Sequence, residues 1–257
     1  MRIRIPQIIH QTKDSIPNLT EAGRLAYTQL ADEIREDREV ANMLQMDEDL
    51  DVLFYSQFQR ATLQKQTWHS IPWWFAENYE FLCLNSIQQS TKSNQPSDPF
   101  FYLKQKALET AMTIFPALVK PLLVETRQSS QLTKDLFTKA LLRILWGNKA
   151  DLSMSGGKVN KAEIKNETAN YLLIDEIDTI WSHFQAKQFS RVIVCADNTG
   201  LEILCDFALI AVLLFFNPAL SIQYTIKEKP VFVSDVTLAD IQPTIAALES
   251  SGDEGMD

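Results

Sequence analysis

The sequence predicts an α/β protein, with an N-terminal helical domain followed by a doubly wound, Rossmann-like sheet that looks incomplete at its C-terminus. Two observations support this fold class. Apolar residues in the first half recur at the spacing of amphipathic helices. Further along, residues 191–196, 201–216 and 221–226 have the composition of a strand, a helix and a second strand, which is the order found in doubly wound sheets.

The predicted domain division places a helical domain at residues 1–152 and a partial α/β metal-binding domain at residues 168–257. Residues 153–167 contain Ser-Gly-Gly with alternating Lys and Asn, a composition typical of an exposed loop, and the polar stretch 85–99 predicts another loop. Asn18 is a candidate N-cap for the first of the predicted helices. These helices cover residues 19–40, 73–84, 100–115, 132–146 and 171–184.

The second half contains a short β-branched run, Arg191–Ala196, that ends sharply at Asp197. Such a run predicts a buried strand of a parallel sheet. After this strand we expect a turn, a helix, two short strands and a final helix, at residues 197–200, 201–216, 221–226, 231–233 and 238–248.

Composition argues against several classes of function. The formal net charge of −9 predicts a surface that repels nucleic-acid backbones, although a metal ion can still recruit a small phosphate. The longest apolar run, Phe207–Phe216, is about half as long as a membrane span. Three cysteines without metal-ligand or redox spacing favour a reduced, cytoplasmic protein. We therefore expect neither a nucleic-acid nor a membrane partner.

Polar side chains follow two predicted strands, where ligands bind in open α/β sheets. Asp197 follows the first strand with Asn198 beside it, and Asp235 follows the strand predicted at 231–233. Two carboxylates and an amide oxygen form an all-oxygen set that suits Mg²⁺ or Mn²⁺. The same residue types are common in turns and at helix N-termini, so spacing alone leaves a purely structural role open.

Three blocks occur in the order and rough spacing of a known family. They are Ile144–Ser153 (ILWGNKADLS), Cys195–Glu202 (CADNTGLE) and Lys227–Thr237 (KEKPVFVSDVT), with weaker matches at Pro72–Tyr79 and Asp98–Lys104. These blocks resemble the damage-control phosphatases, in the subfamily that includes a protein first described as an acidic residue methyltransferase. Because three blocks agree in order, the resemblance is specific, and it extends from about residue 72 to about residue 240.

The resemblance implies a divalent metal, Mn²⁺, Co²⁺, Ni²⁺ or Mg²⁺, held by Asp197, Asn198 and Asp235. This ligand set agrees with the one inferred from the strand ends. The same three residues would carry catalysis, and Asp197 and Asn198 would also contact the substrate. Glu202, one helical turn further along, would face the same cleft.

Four more residues are implied to bind the substrate or to shape its cleft: Asn148, Lys149, Asp151 and Lys227. For the Trp-Gly-Asn sequence at 146–148, a helix C-terminus closed by polar capping is an equally good explanation. Lys227 is placed either to neutralise phosphate charge or to be an ordinary solvated lysine at a strand end.

The reaction implied by the resemblance is hydrolysis of small sugar phosphates, such as fructose phosphates, or of related phosphometabolites. The metal would bind a phosphoryl oxygen and act as a Lewis acid. The nucleophile would be water on the metal or Asp197 itself, and the sequence leaves both open. It also leaves open the preferred substrate, the native metal and the oligomeric state.

The sequence departs from the family pattern in two places. Family members continue past the Phe-Val-Ser-Asp block to a Gly-Asp-Leu-Asn-Tyr-Arg-Lys motif and a basic position that hold the substrate, whereas one predicted helix and an acidic segment follow here. We therefore expect a C-terminally truncated chain with weak or no turnover and an open sheet edge. In addition, Leu82 and Cys83 stand where the family tends to have two arginines.

Two alternative functions stay open at this stage. The family has also been assigned a carboxyl methyl transfer from S-adenosylmethionine, but the seven glycines here form no GxGxxG loop, which ranks this activity below the phosphatase. The third reading is a catalytically silent module that binds metal or a partner chain, and the apparent truncation favours it.

Overall fold

The computed structural model describes residues 2–40, 64–90, 96–147, 172–186 and 190–252. Over these ranges the fold is α/β and mainly helical, with nine helices and one two-stranded parallel sheet. The elements are α1 (Arg4–Ser15), α2 (Glu21–Arg35), α3 (Trp73–Ser90), α4 (Phe101–Leu118), α5 (Lys120–Gln128), α6 (Lys134–Gly147), α7 (Ile177–Gln185), β1 (Arg191–Cys195), α8 (Leu201–Phe216), β2 (Ser221–Thr225) and α9 (Leu238–Gly252).

The chain divides into two compact units. One comprises Met1–Leu103 with Pro230–Phe232, and the other comprises Lys104–Lys229 with Val233–Asp257. The boundary between these units thus falls inside α4. The domain boundary predicted at residue 152 and the predicted loop at 153–167 lie outside the described residues, so that division stays a prediction.

In the first unit, α1 packs against α2 and α2 packs against α3. The N-cap of α2 is Thr20, whose side chain accepts a hydrogen bond from the Gly23 amide at 3.1 Å, whereas the sequence predicted Asn18. Asn18 instead adopts a φ of 54°, which an asparagine tolerates in the turn before the helix. Both residues are good caps by type, and the backbone conformation decides between them.

Helix α3 continues to Ser90 and so takes up the first part of the stretch predicted as a loop at 85–99. The polar composition predicted a loop, but polar Gln88 is buried in the helix and its side-chain amide forms hydrogen bonds. It accepts a hydrogen bond from Tyr27 Oη at 3.1 Å and donates one to the Pro96 carbonyl at 2.9 Å. A buried polar group is tolerated when its hydrogen bonds are made in this way.

The second unit is built around α8, which has the predicted bounds Leu201–Phe216. Its sequence is apolar nearly all round, as expected for a helix with neighbours on several sides. Helices α5 and α6 pack against it, and α7 packs against α6 through the rings of Phe137, Trp181 and Phe184. Leu204, Ala208 and Val212 of α8 are buried in this core.

The sheet consists of β1 and β2, paired in parallel from Arg191 opposite Ser221 to Cys195 opposite Thr225. In the chain, α8 connects the two strands, as parallel pairing requires a crossover. Val192 and Ile222 pack against the core around α8. Both predicted strands therefore form, and their carboxyl ends lie side by side. The prediction that β1 is buried is wrong, because exposed and half-buried residues alternate along it.

The strand predicted at residues 231–233 does not form. Phe232 adopts a φ of 69°, in the left-handed region, which is incompatible with an extended strand. In the first unit its ring contacts Trp74 and Phe81, with ring centroids 6.1 and 5.2 Å apart. The apolar run at 231–233 therefore forms no strand. Its Phe232 packs against two aromatic rings, and a loop follows.

Among the described helices, none is by itself both long and apolar enough to cross a membrane, although α4 and α5 together, bent by 41° at their junction, meet that criterion of length and composition.

The packing around α8 predicts an asymmetry between two substitutions on this helix. Leu204→Ala removes a side chain that is 1% exposed, and we expect it to lower the free energy of unfolding by about 2–5 kcal/mol. Phe215→Ala, at a position 50% exposed, should lower it by no more than about 1 kcal/mol. Urea unfolding followed by circular dichroism measures both, and equal losses would contradict this description of the core.

Candidate functional site

The first loop of the candidate site joins β1 to α8. Because the Ala196 amide donates to the Thr225 carbonyl at 2.9 Å, Asp197 lies directly beyond the carboxyl end of the parallel pair. Gly200 precedes α8 with a φ of 80°. A Cβ atom there would lie 3.2 Å from the Cβ and 3.3 Å from the carbonyl oxygen of Ala107, so the turn requires glycine for both conformation and space.

The second loop contains Asp235 and runs alongside the first. The Thr199 amide donates to the Ser234 carbonyl at 2.7 Å, and the Val236 amide donates to the Asp197 carbonyl at 2.8 Å. These two hydrogen bonds form an antiparallel bridge between Asn198 and Asp235. The bridge brings together the three residues predicted as metal ligands, although they come from separate parts of the chain.

The Asn198 side chain is buried between the two loops. Its Nδ2 atom donates to Glu202 Oε2 at 3.0 Å and, more weakly, to Asp197 Oδ2 at 3.3 Å. Its Oδ1 atom accepts from Ser234 Oγ at 2.6 Å. Because a hydroxyl can both donate and accept, the Asn198 amide keeps a partner at Ser234 whichever of its two atoms faces the carboxylates.

Lys227 forms an ion pair with Asp235, and its backbone amide donates to the Val236 carbonyl at 3.0 Å. The Lys227 side chain is 39% exposed and that of Asp235 is 9% exposed. The lysine therefore lies between the buried carboxylate and the solvent. The structure thus brings five of the eight predicted site residues together: Asp197, Asn198, Glu202, Lys227 and Asp235.

The other three predicted residues, Asn148, Lys149 and Asp151, lie outside the described residues. The residue before them, Gly147 at the end of α6, is described and is buried. A Cβ atom on Gly147 would lie 3.2 Å from the Cα of Glu202, which explains why glycine occupies this position. The role of Asn148, Lys149 and Asp151 in shaping the substrate cleft stays a prediction.

Within the described ranges, no three His, Cys, Asp or Glu side chains are grouped in a way that could hold a metal ion. The predicted ligand set consists of two carboxylates and one amide, so it falls outside such a grouping. Its oxygen-rich chemistry matches what Mg²⁺ and Mn²⁺ prefer. The donor set therefore fits a hard divalent cation when the Asn198 amide turns Oδ1, in place of Nδ2, toward the carboxylates.

Comparisons with known proteins identify the family. The sequence-family model described as the damage-control phosphatase ARMT1-like domain matches residues 1–256. The chain belongs to this family.

Curated relatives of this family member are each named damage-control phosphatase ARMT1. The protein of Bos taurus is 28% identical over 88% of the chain and 56% of its own length. The protein of Macaca fascicularis is 28% identical over 92% of the chain and 62% of its own length. The protein of Xenopus tropicalis is 26% identical over 100% of the chain and 66% of its own length. The chain thus spans between about half and two thirds of the length of these relatives.

Negative charge is concentrated in the buried part of the candidate site. Burial raises the pKa of Asp235, and the charge of Asp197 adds to this rise, whereas the hydrogen bond and charge of Lys227 oppose it. Burial also raises the pKa of Glu202 to about 7, with contributions from Asp197 and Asp206, against the opposing hydrogen bond from Asn198. A bound cation would relieve this repulsion.

Three residues of the site were missed by the sequence analysis: Ser234, Asp206 and Tyr224. Ser234 directly precedes Asp235, but nothing in a serine at this position reveals that it contacts Asn198. Asp206 is the one acidic residue inside the otherwise apolar remainder of α8 after Glu202, and this was a usable signal. It accepts a hydrogen bond from Tyr224 Oη at 2.8 Å and is 3% exposed.

Asp206 predicts a measurable dependence of stability on pH. Burial, and to a lesser extent the charge of Asp197, raises its pKa from 3.8 to about 6 against the opposing hydrogen bond from Tyr224. Between these two pH values the folded chain binds more protons at this residue than the unfolded chain. The contribution of Asp206 to the free energy of unfolding therefore falls as pH rises from about 4 to about 6, and it stays level above that.

Asp206→Asn keeps an oxygen that accepts from Tyr224 and removes this titration. We expect the variant to match the wild type in stability at pH 4 and to exceed it by about 1–3 kcal/mol at pH 7. Urea unfolding at pH 4, 5, 6 and 7 measures the difference. Asp178→Asn, whose side chain is 84% exposed, is the control, and identical pH profiles for Asp206→Asn and wild type would contradict the prediction.

Proposed function

We propose that this chain provides the metal-binding part of a phosphatase that hydrolyses small sugar phosphates of the fructose phosphate type, or related phosphometabolites, in a damage-control role. The observation that carries the proposal is the Asn198–Asp235 bridge, which places Asp197, Asn198 and Asp235 at the carboxyl ends of a parallel strand pair. Membership of the ARMT1-like family and the phosphatase names of its relatives support the reaction class.

We assign Asp197, Asn198 and Asp235 as the ligands of a divalent metal, Mn²⁺, Co²⁺, Ni²⁺ or Mg²⁺. When bound, such an ion supplies Lewis-acid activation of the phosphoryl group. The support is chemical: two carboxylates lie close enough for the charge of Asp197 to raise the pKa of Asp235, beyond the larger effect of burial. Asp197 is exposed and Asp235 is buried, and a cation placed between two neighbouring carboxylates stabilises both charges.

Lys227 is the residue of this site best placed to meet a substrate phosphate. Its ammonium pairs with Asp235 and its side chain reaches the surface, so a phosphate arriving from solvent meets a positive charge at the edge of a negative site. We propose that Lys227 binds the phosphate and offsets its charge, as cations around a transferring phosphoryl group do. Asp197 is either a metal ligand alone or also the nucleophile.

The proposal extends to the fold. A β-α-β unit with its candidate ligands beyond the carboxyl strand ends is the building unit of doubly wound, Rossmann-like sheets. We propose that β1, α8 and β2 belong to such a sheet, in which Asn148, Lys149 and Asp151 complete the substrate cleft. The support for the latter is the contact of the preceding Gly147 with the backbone of Glu202.

The proposed function predicts metal-dependent release of inorganic phosphate from fructose 1-phosphate. Asp197→Asn preserves the shape of the side chain and removes its charge, so we expect the release rate to fall at least about a hundredfold. The measurement is phosphate release with Mn²⁺, Co²⁺, Ni²⁺ or Mg²⁺ in turn. Asp178→Asn, an exposed carboxylate on α7, is the matched control and should keep the wild-type rate.

Two outcomes would contradict the proposal. Equal rates for wild type and Asp197→Asn would show that the release does not depend on this site. No release from the folded wild-type chain with any of the four metals would exclude the activity for this chain and favour a role in binding. Circular dichroism of each protein establishes that the comparison is made between folded chains.

A further inference from the structure

A buried ion pair lies beside the candidate site and belongs to none of the predicted site residues. Lys104 Nζ, on α4, donates to Asp240 Oδ2, on α9, at 3.0 Å. The Lys104 side chain is 2% exposed and that of Asp240 is 8% exposed. Burying two charges is unfavourable unless their geometry and additional hydrogen bonds compensate, so a pair in this position calls for an explanation.

Asp240 connects Lys104 to the loop that carries Asp235. The Asp240 Oδ2 atom also accepts hydrogen bonds from the amide and the hydroxyl of Thr237, both at 2.8 Å. This arrangement is the reciprocal half of a capping box at the start of α9, in which the third helical residue reaches back to the N-cap amide. A single carboxylate thus holds α4 against Thr237, two residues after Asp235.

Helix α4 contacts the other loop as well. Ala107 lies one helical turn after Lys104, on the same face of α4. It packs so closely on Gly200 that a Cβ atom at Gly200 would lie 3.2 Å from the Ala107 Cβ. Lys104 is therefore linked through Asp240 to the loop that carries Asp235, and Ala107 contacts the loop that carries Asp197 directly. These are the two loops joined by the Asn198–Asp235 bridge.

We propose that α4 braces both ligand-bearing loops and that Lys104 is a positioning residue for the metal centre, acting through Asp240. The inference rests on the proposed function for the identity of the metal site. Ala107 limits the position of the first loop by steric contact, and the Lys104–Asp240 pair limits that of the second. Together with the backbone bridge, they hold the two loops at a fixed separation.

The direction of the expected effect distinguishes positioning from simple electrostatics. Lys104 is a cation, and after Lys227 it is the second lysine whose charge opposes the burial-driven rise in the pKa of Asp235. A cation close to a metal site repels the metal, so removing its charge would by Coulomb's law alone tighten metal binding. Loss of a brace has the opposite result, because the carboxylates then sample a wider range of positions.

The test uses three variants and one control. Lys104→Met removes the charge at similar length, Asp240→Asn keeps an oxygen for Thr237, and the double variant avoids leaving either charge buried alone. Lys106→Met is the matched control, because Lys106 is exposed on the same helix. The readouts are the Mn²⁺ affinity by calorimetry and the hydrogen exchange of the Thr199 and Val236 amides by NMR.

We expect Lys104→Met to weaken Mn²⁺ binding by about 10- to 100-fold, as is typical for residues that support metal ligands. Exchange of the Thr199 and Val236 amides should accelerate. The double variant should lose less than the product of the two single losses, because the two residues act as a pair. Lys106→Met should match the wild type in both readouts.

Folded Lys104→Met that binds Mn²⁺ as tightly as the wild type or more tightly, with unchanged amide exchange, would overturn the proposal. If Lys104→Met does not fold, the double variant decides by the same criteria. If the wild type binds no Mn²⁺, the proposed function fails. The exchange rates of the two amides then still determine whether α4 braces the loops.

Discussion

The candidate site depends on two backbone hydrogen bonds between loops that are distant in sequence. The Thr199 amide bonds to the Ser234 carbonyl, and the Val236 amide bonds to the Asp197 carbonyl. These bonds place Asp197, at the carboxyl end of β1, beside Asp235, in the segment before α9. Because the bonds involve main-chain atoms, they fix the positions of the Cα atoms. The side chains of Asp197 and Asp235 are then not used up in joining the loops and can serve the proposed metal site.

The same arrangement buries several carboxylates close together, which is electrostatically unfavourable, and the surrounding residues partly compensate for it. Carboxylates are unfavourable in a buried environment, and here burial raises the pKa values of Glu202, Asp206 and Asp235. Each has a partner that stabilises its charged form: the Asn198 amide, the Tyr224 hydroxyl and the Lys227 ammonium, respectively. The remaining excess of negative charge is what a divalent cation would neutralise, which links the fold directly to the proposed chemistry.

Close helix packing determines how precisely the site can be held. Gly147 lets the end of α6 approach the Cα of Glu202, and Gly200 lets the first loop approach Ala107 on α4. A larger residue at Gly147 would displace α8, which carries Glu202, and one at Gly200 would displace the loop that carries Asp197 and Asn198. The apolar core around α8 therefore has two effects. It stabilises the unit, and it fixes where the elements that carry the carboxylates lie.

The sequence by itself determined β1, β2 and the bounds of α8, because β-branched runs, apolar composition and a glycine turn are local signals. It also singled out Asp197, Asn198 and Asp235, through their places after apolar runs and their family resemblance. Only the tertiary structure decided that residues 231–233 are not a strand, since Phe232 is held at a positive φ beside Trp74 and Phe81. The contacts made by Ser234 and Tyr224 and the pairing of Lys104 with Asp240 were likewise not predicted from the sequence. Their contacts join residues that are distant along the chain, and no local pattern encodes which distant residues will meet.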